Sequence, residues 1–481
     1  MGRITRNYLY NAAYQLLVIL TPIITAPYLA RVLGADNLGI YGYVNSSGNI
    51  ITTCTLLGIY AYGNRQTAYV RDNSHKLTET FWEIMYTRVL LGIIGTLVYS
   101  VYAYMNRDFR VYFILYYPYI LAQFIDCTWV FVGLEDMKPA VIKNTAARLL
   151  NVLGIFLFVR KKDDLWIYIL LLAVTALFTN IAAYTQVGKY IGKPAGRINK
   201  ITGHIRDSAY LFLPQVAALF YLQVDKIMLQ WLTGMSRQVS FYDHAEKLIN
   251  IPLSLISVMS TVMMPRIANE FRNKNAAKIT ILLNRAGCFS LFAAFPMMFG
   301  LASVARQFIP WYLGVEFEPV ANAMILLSPI VVLNSLTGIS GQQYFTATNQ
   351  ISILLKAYVS AAILNIIVNA MLIPRYGYMG AAAATVGSSL ISTILQYYYL
   401  NRQANVNEFV SYGIKYCMAS AVMAGMIYLT TYKMQAKAGT TALQILVGMA
   451  VYFGLMFVMK DEVLTEAVLK IRSWVSKKLN K

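Results

Sequence analysis

The chain has 481 residues, of which 58% are hydrophobic and 13% are charged, and its mean hydropathy is +0.52. Soluble domains have a charged fraction of about 25%, so this composition excludes an ordinary soluble protein and predicts a polytopic membrane protein. The formal net charge of +20 does not indicate nucleic-acid binding, because membrane proteins collect Lys and Arg in their cytoplasmic loops and no basic run here is interleaved with exposed aromatic residues.

Apolar stretches long enough to cross a bilayer, about 20 residues each, recur along the whole chain. The N-terminal stretch has basic residues ahead of its apolar run but no small-residue cleavage pattern after it, which favours an uncleaved first helix. We predict about fourteen transmembrane helices, at residues 11–32, 43–62, 83–104, 111–132, 141–159, 165–187, 208–232, 243–264, 282–304, 319–340, 352–373, 380–400, 412–432 and 441–459.

The distribution of positive charge predicts that both termini lie in the cytoplasm. About 23 of the 41 Lys and Arg residues fall in predicted inner loops and tails, and about 11 fall in outer ones. The inner excess comes mainly from residues 188–206, 265–278 and 460–481, and the last of these is predicted to be an amphipathic basic helix on the inner membrane surface. Tyrosines near span ends, such as Tyr116 and Tyr119, are expected to form mostly an interfacial belt, although some could stack on sugar rings.

A weak internal repeat divides the chain near residues 188–206. Sliding one half over the other by about 200 residues keeps several pairs in order, although apolar segments can also match by chance. Six spans per half give repeats of the same orientation, and transporters built this way bind substrate between the halves near the membrane midplane. The predicted domains are 1–195, 196–402, 403–459 and 460–481, and the aligned pairs include Gly34 with Gly234, Arg65 with Arg266, and Arg88 with Arg285.

Two adjacent charges, Asp225 and Lys226, lie inside an apolar run that is otherwise long enough to span the membrane. A charged side chain facing lipid at depth costs at least a few kcal/mol, so such residues normally face the bundle interior or a wet cavity. We interpret this helix as the wall of a polar passage. A structural salt bridge from Asp225, with Lys226 extending outward to the interface, is the alternative.

Other charges within or beside spans are further candidates for lining this passage. Basic residues outnumber acidic ones among them, and buried Arg and Lys suit an anionic cargo such as phosphate. Snorkelling at helix ends is the alternative for the basic residues, and the acidic ones could carry a coupling cation or neutralise an Arg. The candidates are Arg31, Asp126, Arg148, Glu246 and Lys247, followed by Arg88, Arg285 and Lys356 nearer an interface.

No metal or cofactor is expected. Cys54, Cys127, Cys288 and Cys417 lie far apart in apolar segments, with no CxxC pair and no histidine at metal-ligand spacing, and the three histidines are scattered. An enzyme is also not expected, because the longest predicted outer loops hold only about a dozen residues and offer too few carboxylates for acid and base catalysis.

Several stretches in order resemble the Wzx/RfbX-type flippases of polysaccharide repeat units, within the superfamily of the multidrug and toxin extruders and the lipid II flippase. The resemblance runs from the first span to about residue 400. It rests on APYLARVLGADNLGIYGY at 26–43, YGNRQTAYVRD at 62–72, DCTWVFVGLEDMKPAVIKN at 126–144, VDKIMLQWLTG at 224–234, FYDHAEKLINIP at 241–252, MMPRIA at 263–268 and NAMLIPRYGYMGAAAAT at 369–385.

The resemblance implies a MATE-like fold of two six-helix bundles arranged as a V, with two further helices. Arg31 stands in the matching LARVLG stretch, Asp225 and Lys226 match the VDK pattern, and Gln230 departs from the family's expected Gly. Family motifs at the cytoplasmic ends of spans imply an inner gate formed by Arg65, Arg71, Glu135 and Arg266.

The implied function is translocation of undecaprenyl-diphosphate-linked oligosaccharide from the inner to the outer leaflet of a bacterial cytoplasmic membrane by alternating access. The implied partners are this glycolipid, membrane lipids, polysaccharide polymerase machinery and H⁺ or Na⁺ as a coupling ion, with no nucleic acid. The membrane potential, worth about 2.3 kcal/mol per charge per 100 mV, could drive the step instead of an ion. The alternatives are a lipid II flippase and a MATE-like drug or cation antiporter, although the basic excess argues against the latter.

Overall fold

The structure, a computed structural model, describes residues 3–136, 138–195, 200–466, 468–469 and 473. Within these residues the backbone forms helices joined by turns and contains no β-strand, which confirms the all-α prediction. The chain divides into two compact units, residues 1–240 and residues 241–481. The four predicted domains stay predictions, and most of the predicted tail helix at 460–481 lies outside the described residues.

The first unit consists of helices joined mostly by short turns. Several of its helices match predicted spans closely, as in the sixth, where the observed bounds equal the predicted ones. The second predicted span, 43–62, is instead interrupted at Leu57 and Gly58, which both have a positive φ. Asn73 caps the third helix, because its side chain accepts a hydrogen bond from the Lys76 amide at 3.0 Å. The helices are α1 (Arg3–Leu56), α2 (Ile59–Val70), α3 (Ser74–Met105), α4 (Arg110–Leu115), α5 (Tyr117–Ile125), α6 (Trp129–Gly133), α7 (Lys138–Phe158), α8 (Leu165–Val187) and α9 (Ile201–Thr233).

A glycine interrupts α1 between the first two predicted spans. Gly34 has φ 78° and ψ 173°, which is non-helical and lies in a region that side chains with a Cβ rarely adopt. Gly234, its partner in the 200-residue repeat, ends α9 and also has a positive φ, of 66°. The two halves therefore each place a positive-φ glycine after their first predicted span.

The fourth predicted span is broken into α4, α5 and α6. Asp126 follows α5 in an extended conformation, and its Oδ1 accepts hydrogen bonds from the Thr128 amide and hydroxyl. The carbonyls of Gln123 and Phe124, which lack helical partners at this end, accept hydrogen bonds from Arg88 at 2.5 and 3.1 Å. Arg88 thus replaces the helical hydrogen bonds that these carbonyls lose at the break. The sequence pattern had predicted one continuous span here, so that prediction was wrong.

Helices α2, α3, α6 and the end of α8 enclose an apolar core in the first unit. Trp129 and Phe81 stack at its centre with ring centroids 5.5 Å apart, and both side chains are buried. Such aromatic pairs stabilise a fold by about 1 kcal/mol beyond the burial of their area. The core fixes the broken fourth span against the second and third predicted spans.

The second unit begins within α10. It contains a π-helix at the end of the chain's tenth predicted span, residues 319–340. Helix α16 packs along α11, and α17 packs along both α11 and α16, so the last two predicted spans belong to this unit. The helices are α10 (Ser236–Arg272), α11 (Ala276–Tyr312), α12 (Pro319–Leu327), α13 (Ile330–Thr337), the π-helix (Gly338–Phe345), α14 (Ile351–Tyr376), α15 (Tyr378–Leu400), α16 (Asn407–Thr431) and α17 (Ala438–Val458).

Nine helices in the described part of the chain are long and apolar enough to cross a membrane. A multi-pass membrane protein is therefore confirmed. The other predicted spans coincide with helical segments that are broken or more polar, such as α9 with Asp225 and Lys226. The total of fourteen stays a prediction.

Candidate substrate cavity

A polar cavity of about 420 Å³ lies inside the first unit, between α1, the α4–α5 region, α7 and α8. We call it the Arg148 cavity, because among its described lining residues Arg148 carries the charge. Its other walls are mainly amides, hydroxyls and tyrosine rings. The lining consists of Tyr41, Asn45, Tyr116, Tyr119, Gln123, Asn144, Ala147, Arg148, Asn151, Leu172, Thr175, Ala176, Thr179 and Asn180.

Helical spacing brings these polar groups to one side of each helix. On α7, Asn144, Arg148 and Asn151 are four and three residues apart, which places them on a common face. On α8, Thr175 and Thr179 are one turn apart. Each helix therefore presents a polar stripe inside an otherwise apolar span.

Hydrogen bonds between the walls hold several of these groups in place. The Tyr116 hydroxyl donates to Asn45 Oδ1 at 2.8 Å, and the Tyr116 and Tyr119 rings stack with centroids 4.7 Å apart. The Asn180 amide donates to the Ala122 carbonyl at 2.7 Å and accepts from Lys143 Nζ at 3.0 Å. The cavity wall is thus ordered before any ligand binds.

The chemistry of this cavity suits a polar, negatively charged ligand. An arginine pairs with phosphate through two parallel charge-assisted hydrogen bonds. Amide and hydroxyl groups exchange hydrogen bonds with sugar hydroxyls, and flat tyrosine rings offer stacking surfaces. Arg148 is the predicted cargo-binding residue that the structure places in this setting.

The remaining predicted cavity residues of the first unit lie elsewhere. Asp225 is fully buried on α9 and Lys226 is nearly so, in agreement with their predicted protection from lipid. Arg31 is exposed on α1 and donates to the Pro27 carbonyl at 3.3 Å. Asp126 lies 3.8 Å from Arg88 and takes part in the turn after α5. Their roles toward cargo stay predictions.

The predicted charges of the second unit lie near the start of α10. Lys247 forms a salt bridge with Asp243 at 2.5 Å, one helical turn away, and the Asp243 side chain is almost fully buried. Glu246 is half-buried. Because Asp243 neutralises Lys247, this pair is less able to hold an anion than Lys247 alone.

Two of the predicted gate residues meet in the first unit. Arg71, just after α2, forms a salt bridge with Glu135 at 2.7 Å, and Glu135 has a positive φ of 55° in the turn after α6. Arg65 lies over the ring of Tyr69. Arg266 is exposed on α10 in the second unit. A gating role for the four residues stays a prediction.

A second cluster at the start of α9 was missed from the sequence. Glu83 of α3 is buried and pairs with Lys200 at 2.9 Å and with His204 Nε2 at 3.3 Å. The other ring nitrogen of His204 lies 2.8 Å from the Tyr62 hydroxyl. These contacts fasten the beginning of α9 to α2 and α3. The sequence signal for this cluster was the carboxylate of Glu83 at the beginning of a predicted span, because a charge there needs a polar partner.

The opposite end of α9 is fastened to α1. Trp231 donates to the Tyr43 hydroxyl at 2.9 Å, and Arg237 pairs with Asp36 through both carboxylate oxygens. The hydrogen bond from Arg237 holds the pKa of Asp36 below its ordinary value. Asp36 and Arg237 lie in predicted outer loops, where the sequence alone gave no pairing.

The polar wall of the Arg148 cavity was also largely missed. Tyr116 belongs to a group of tyrosines that were expected mostly at the membrane interface; its side chain is buried, and its hydroxyl donates to Asn45 on α1. Asn45, Asn144 and Asn151 were not among the predicted site residues. Their signal was an amide side chain within an apolar span, which is costly unless it has a polar neighbour.

The second unit contains an apolar cavity of about 590 Å³ between α10, α11, α16 and α17. Its wall includes Pro252, Phe292, Met297, Met423 and Phe453, with few polar atoms. The described residues contain no group of three His, Cys, Asp or Glu side chains that could hold a metal. All four cysteines are free thiols.

Comparison with known proteins agrees with the resemblance drawn from the motifs. Residues 4–271 match the family model described as polysaccharide biosynthesis protein, and residues 141–448 match that of the lipid II flippase MurJ. A relative from Escherichia coli K12, described as "Putative O-antigen transporter", is 22% identical and aligns over 81% of this chain and 95% of its own length. A Haloferax volcanii relative, described as "Probable low-salt glycan biosynthesis flippase Agl15", is 22% identical over 83% of this chain and 84% of its own.

Solved structures share the fold at low sequence identity. A lipid II flippase MurJ in an inward closed conformation has a TM-score of 0.75 and 16% identity, covering 96% of this chain and 100% of its own. An inward-facing multidrug resistance MATE family transporter has a TM-score of 0.65 and 13% identity, covering 83% of this chain and 96% of its own. The MATE-like fold class is therefore confirmed.

Proposed function

Because this chain belongs to the polysaccharide biosynthesis protein family, we propose that it is a flippase for undecaprenyl-diphosphate-linked oligosaccharide repeat units. It moves them from the cytoplasmic to the outer leaflet of a bacterial cytoplasmic membrane, with both of its own termini in the cytoplasm. The O-antigen and glycan flippase descriptions of its relatives support this cargo class. The protein acts as a transporter and not as an enzyme.

The observation that carries the proposal is the Arg148 cavity inside a chain of membrane-spanning helices. A diphosphate with several sugars cannot cross about 30 Å of hydrocarbon unaided, since one charge already meets a barrier of several kcal/mol. Arg148 offsets part of this barrier by pairing with phosphate. The amides and tyrosines of the wall replace water around the sugars.

The apolar cavity of the second unit suits a hydrocarbon chain. Its lining of Phe, Met, Leu, Ile and Pro side chains offers almost no hydrogen-bonding groups. A polyprenyl chain leaves no hydrogen-bonding group unpaired there, and moving it from lipid to an equally apolar wall costs little. In this proposal the polar head uses the Arg148 cavity, and the polyprenyl chain stays among apolar surfaces and lipid.

The other predicted charges are proposed to act during the alternation of access. The salt bridge between Arg71 and Glu135 joins two segments of the first unit at the place proposed for the inner gate. The membrane potential, or H⁺ or Na⁺ carried by an acidic residue, supplies the driving force. The gate is assigned to Arg65, Arg71, Glu135 and Arg266, and further cargo or coupling roles to Arg31, Asp126, Asp225, Lys226, Glu246 and Lys247.

Lipid II is the second candidate cargo, because residues 141–448 also match the MurJ family model. Both cargoes carry a diphosphate on a polyprenyl chain, so the same Arg148 contact would serve either. They differ in the attached sugars and peptide. Direct competition between the two lipids separates them.

The test is transport of a labelled undecaprenyl-diphosphate oligosaccharide in proteoliposomes holding wild type, R148Q, R148K or R160Q. Arg160 is a matched control, since it is an exposed arginine just after the same helix. We expect transport by the wild type and R160Q, a loss of about tenfold or more in R148Q, and partial transport in R148K. Wild-type protein that ignores such lipids but expels organic cations would overturn the proposal.

A further inference from the structure

A second cleft, of about 610 Å³, lies between α7 and α8 near the start of α7 and the end of α8. We call it the Lys143 cleft. It shares Ala147 and Thr179 with the Arg148 cavity, but its character is different, because one end is basic and the other is apolar. Nothing in the proposed transport step uses it.

Three lysines line the basic end of the cleft. Lys138 and Lys189 are exposed, while Lys143 lies deeper and donates to Asn180. The one carboxylate in the lining, on Asp136, accepts a hydrogen bond from Tyr190 at 2.5 Å. In the described part of the chain, none of the three lysines forms a salt bridge. The cleft therefore keeps a net positive charge that a bound anion can neutralise.

The apolar end of the cleft opens outward along the same two helices. Ile142 and Leu150 of α7 and Phe178 of α8 line it, and their side chains are more than half exposed. Both helices are long and apolar enough to span the membrane, so these side chains face lipid. A hydrocarbon chain lying against them would leave its head group beside the lysines.

We propose that the Lys143 cleft binds an anionic membrane phospholipid, with its phosphate held by Lys138, Lys143 and Lys189 and one acyl chain against Ile142, Leu150 and Phe178. Basic pockets between transmembrane helices near the membrane surface are suited to such head groups. With the predicted orientation, the lipid belongs to the inner leaflet. It is a resident lipid that supports the pairing of α7 and α8, which also form two walls of the Arg148 cavity.

The test measures lipid binding to the full-length protein in neutral detergent, by native mass spectrometry and thermal unfolding. The probes are phosphatidylglycerol, phosphatidylcholine with the same acyl chains, inorganic phosphate and farnesyl diphosphate. We expect phosphatidylglycerol to be retained and to raise the melting temperature, with much weaker effects from the other three. Equal binding of phosphatidylcholine would overturn the proposal.

Variants distinguish lipid binding in this cleft from nonspecific attraction of the lipid to positive charge on the protein surface. K138Q/K189Q removes two exposed lysines and should fold, and its affinity for phosphatidylglycerol should fall about 25-fold, at about fivefold per lysine. K161Q/K162Q is the matched control, because it removes two exposed lysines at the opposite ends of the same helices, and its affinity should not change. Unchanged binding in K138Q/K189Q would overturn the proposal. Weaker binding in K143Q, together with weaker binding in K138Q/K189Q, would support the proposal.

The other sources of phosphate have distinct outcomes. Stabilisation by inorganic phosphate alone would mark a soluble-anion site, and tighter binding of farnesyl diphosphate would assign the cleft to the transported lipid class. Either result overturns a resident phospholipid. Because binding is measured without transport, failure of the flippase proposal would leave this result standing.

Discussion

Arg237 donates two hydrogen bonds to the carboxylate of Asp36, from Nε to Oδ1 at 3.0 Å and from Nη2 to Oδ2 at 2.7 Å. This bidentate pair joins the segment of α1 after Gly34 to the first turn of α10. It lies at the end of α9 opposite to the cluster of Glu83, Lys200 and His204. Contacts at or beside both ends of α9 therefore join it to other helices of the first unit.

The pair between Asp36 and Arg237 should give a pH-dependent stability difference. Because both side chains are about half exposed, D36N should lower the free energy of unfolding at pH 7 by about 0.5 kcal/mol or less. Since the pKa of Asp36 is lowered in the folded state, this contribution is present above the unfolded pKa of about 4 and is lost as the pH falls through the folded pKa.

Thermal unfolding of wild type and D36N at pH 7 and at about pH 2.5 checks this prediction. The gap between them should shrink at the lower pH. D163N is the control, because Asp163 is an exposed carboxylate in another predicted outer loop. A gap of equal size at both pH values would contradict an ionic origin.

The buried carboxylate of Glu83 should matter more than an exposed one on the same helix. E83Q removes the ion pairs with Lys200 and His204 and should lower the free energy of unfolding by about 1–2 kcal/mol, a moderate loss because Lys200 is half exposed. E79Q, one turn earlier on α3, should change it by less than about 0.5 kcal/mol.

Unfolding of these two variants in mixed detergent micelles gives the comparison. Limited proteolysis near residue 200 adds a local readout, since the start of α9 should become more accessible in E83Q alone. Equal stability of E83Q and E79Q would show that the cluster does not hold α9.

Gly58 should not tolerate even a methyl group. Its φ is 70°, and a Cβ there would lie 2.9 Å from Cβ of Phe212 and 3.0 Å from its ring, so G58A adds backbone strain and a steric clash. The expected loss is about 2 kcal/mol or more. G203A is the control, because its Cβ would meet nothing within 4 Å in a helix, and alanine should be neutral or stabilising there.

The melting temperatures of G58A and G203A in the same detergent test this contrast. F212A in the G58A background should recover little of the loss, because it removes the ring contact but keeps the Phe212 Cβ at 2.9 Å and the strained φ. Full recovery would show that neither the Cβ contact nor the positive φ costs much.

Arg88 and Arg285 are paired in the sequence repeat but should respond differently to mutation. Arg88 is buried and donates to two carbonyls at the end of α5, whereas the Arg285 side chain is 73% exposed. R88Q should lower the free energy of unfolding by about 3 kcal/mol, because it removes buried charged hydrogen bonds to the freed carbonyls. R285Q should change it by less than about 1 kcal/mol.

Expression level and the unfolding midpoint of the two variants in micelles provide the measurement. R88K serves as an intermediate, since a lysine can approach only part of the same carbonyl pair. Similar losses in R88Q and R285Q would mean that Arg88 is not a structural cap.

The helical membrane class and the positions of several long helices follow from the local pattern of apolar residues. Apolar runs of about 20 residues are a local property, so α8 could be predicted at residues 165–187 and was found there. The motif containing Arg71 and that containing Glu135 also carried family information, and both lie within residues 4–271, which match the polysaccharide biosynthesis protein model.

The pairing of polar groups depends instead on how the helices pack. Tyr116 bonds to Asn45 across 71 residues of chain, and Arg88 reaches the carbonyls freed by the break before Asp126. The chemical character of each side chain is the same wherever it stands in the sequence, so residue type alone does not show which group it contacts. Burial and pairing depend on which helices pack together, and that is why Arg148 acquired a polar cavity that spacing along one helix could not reveal.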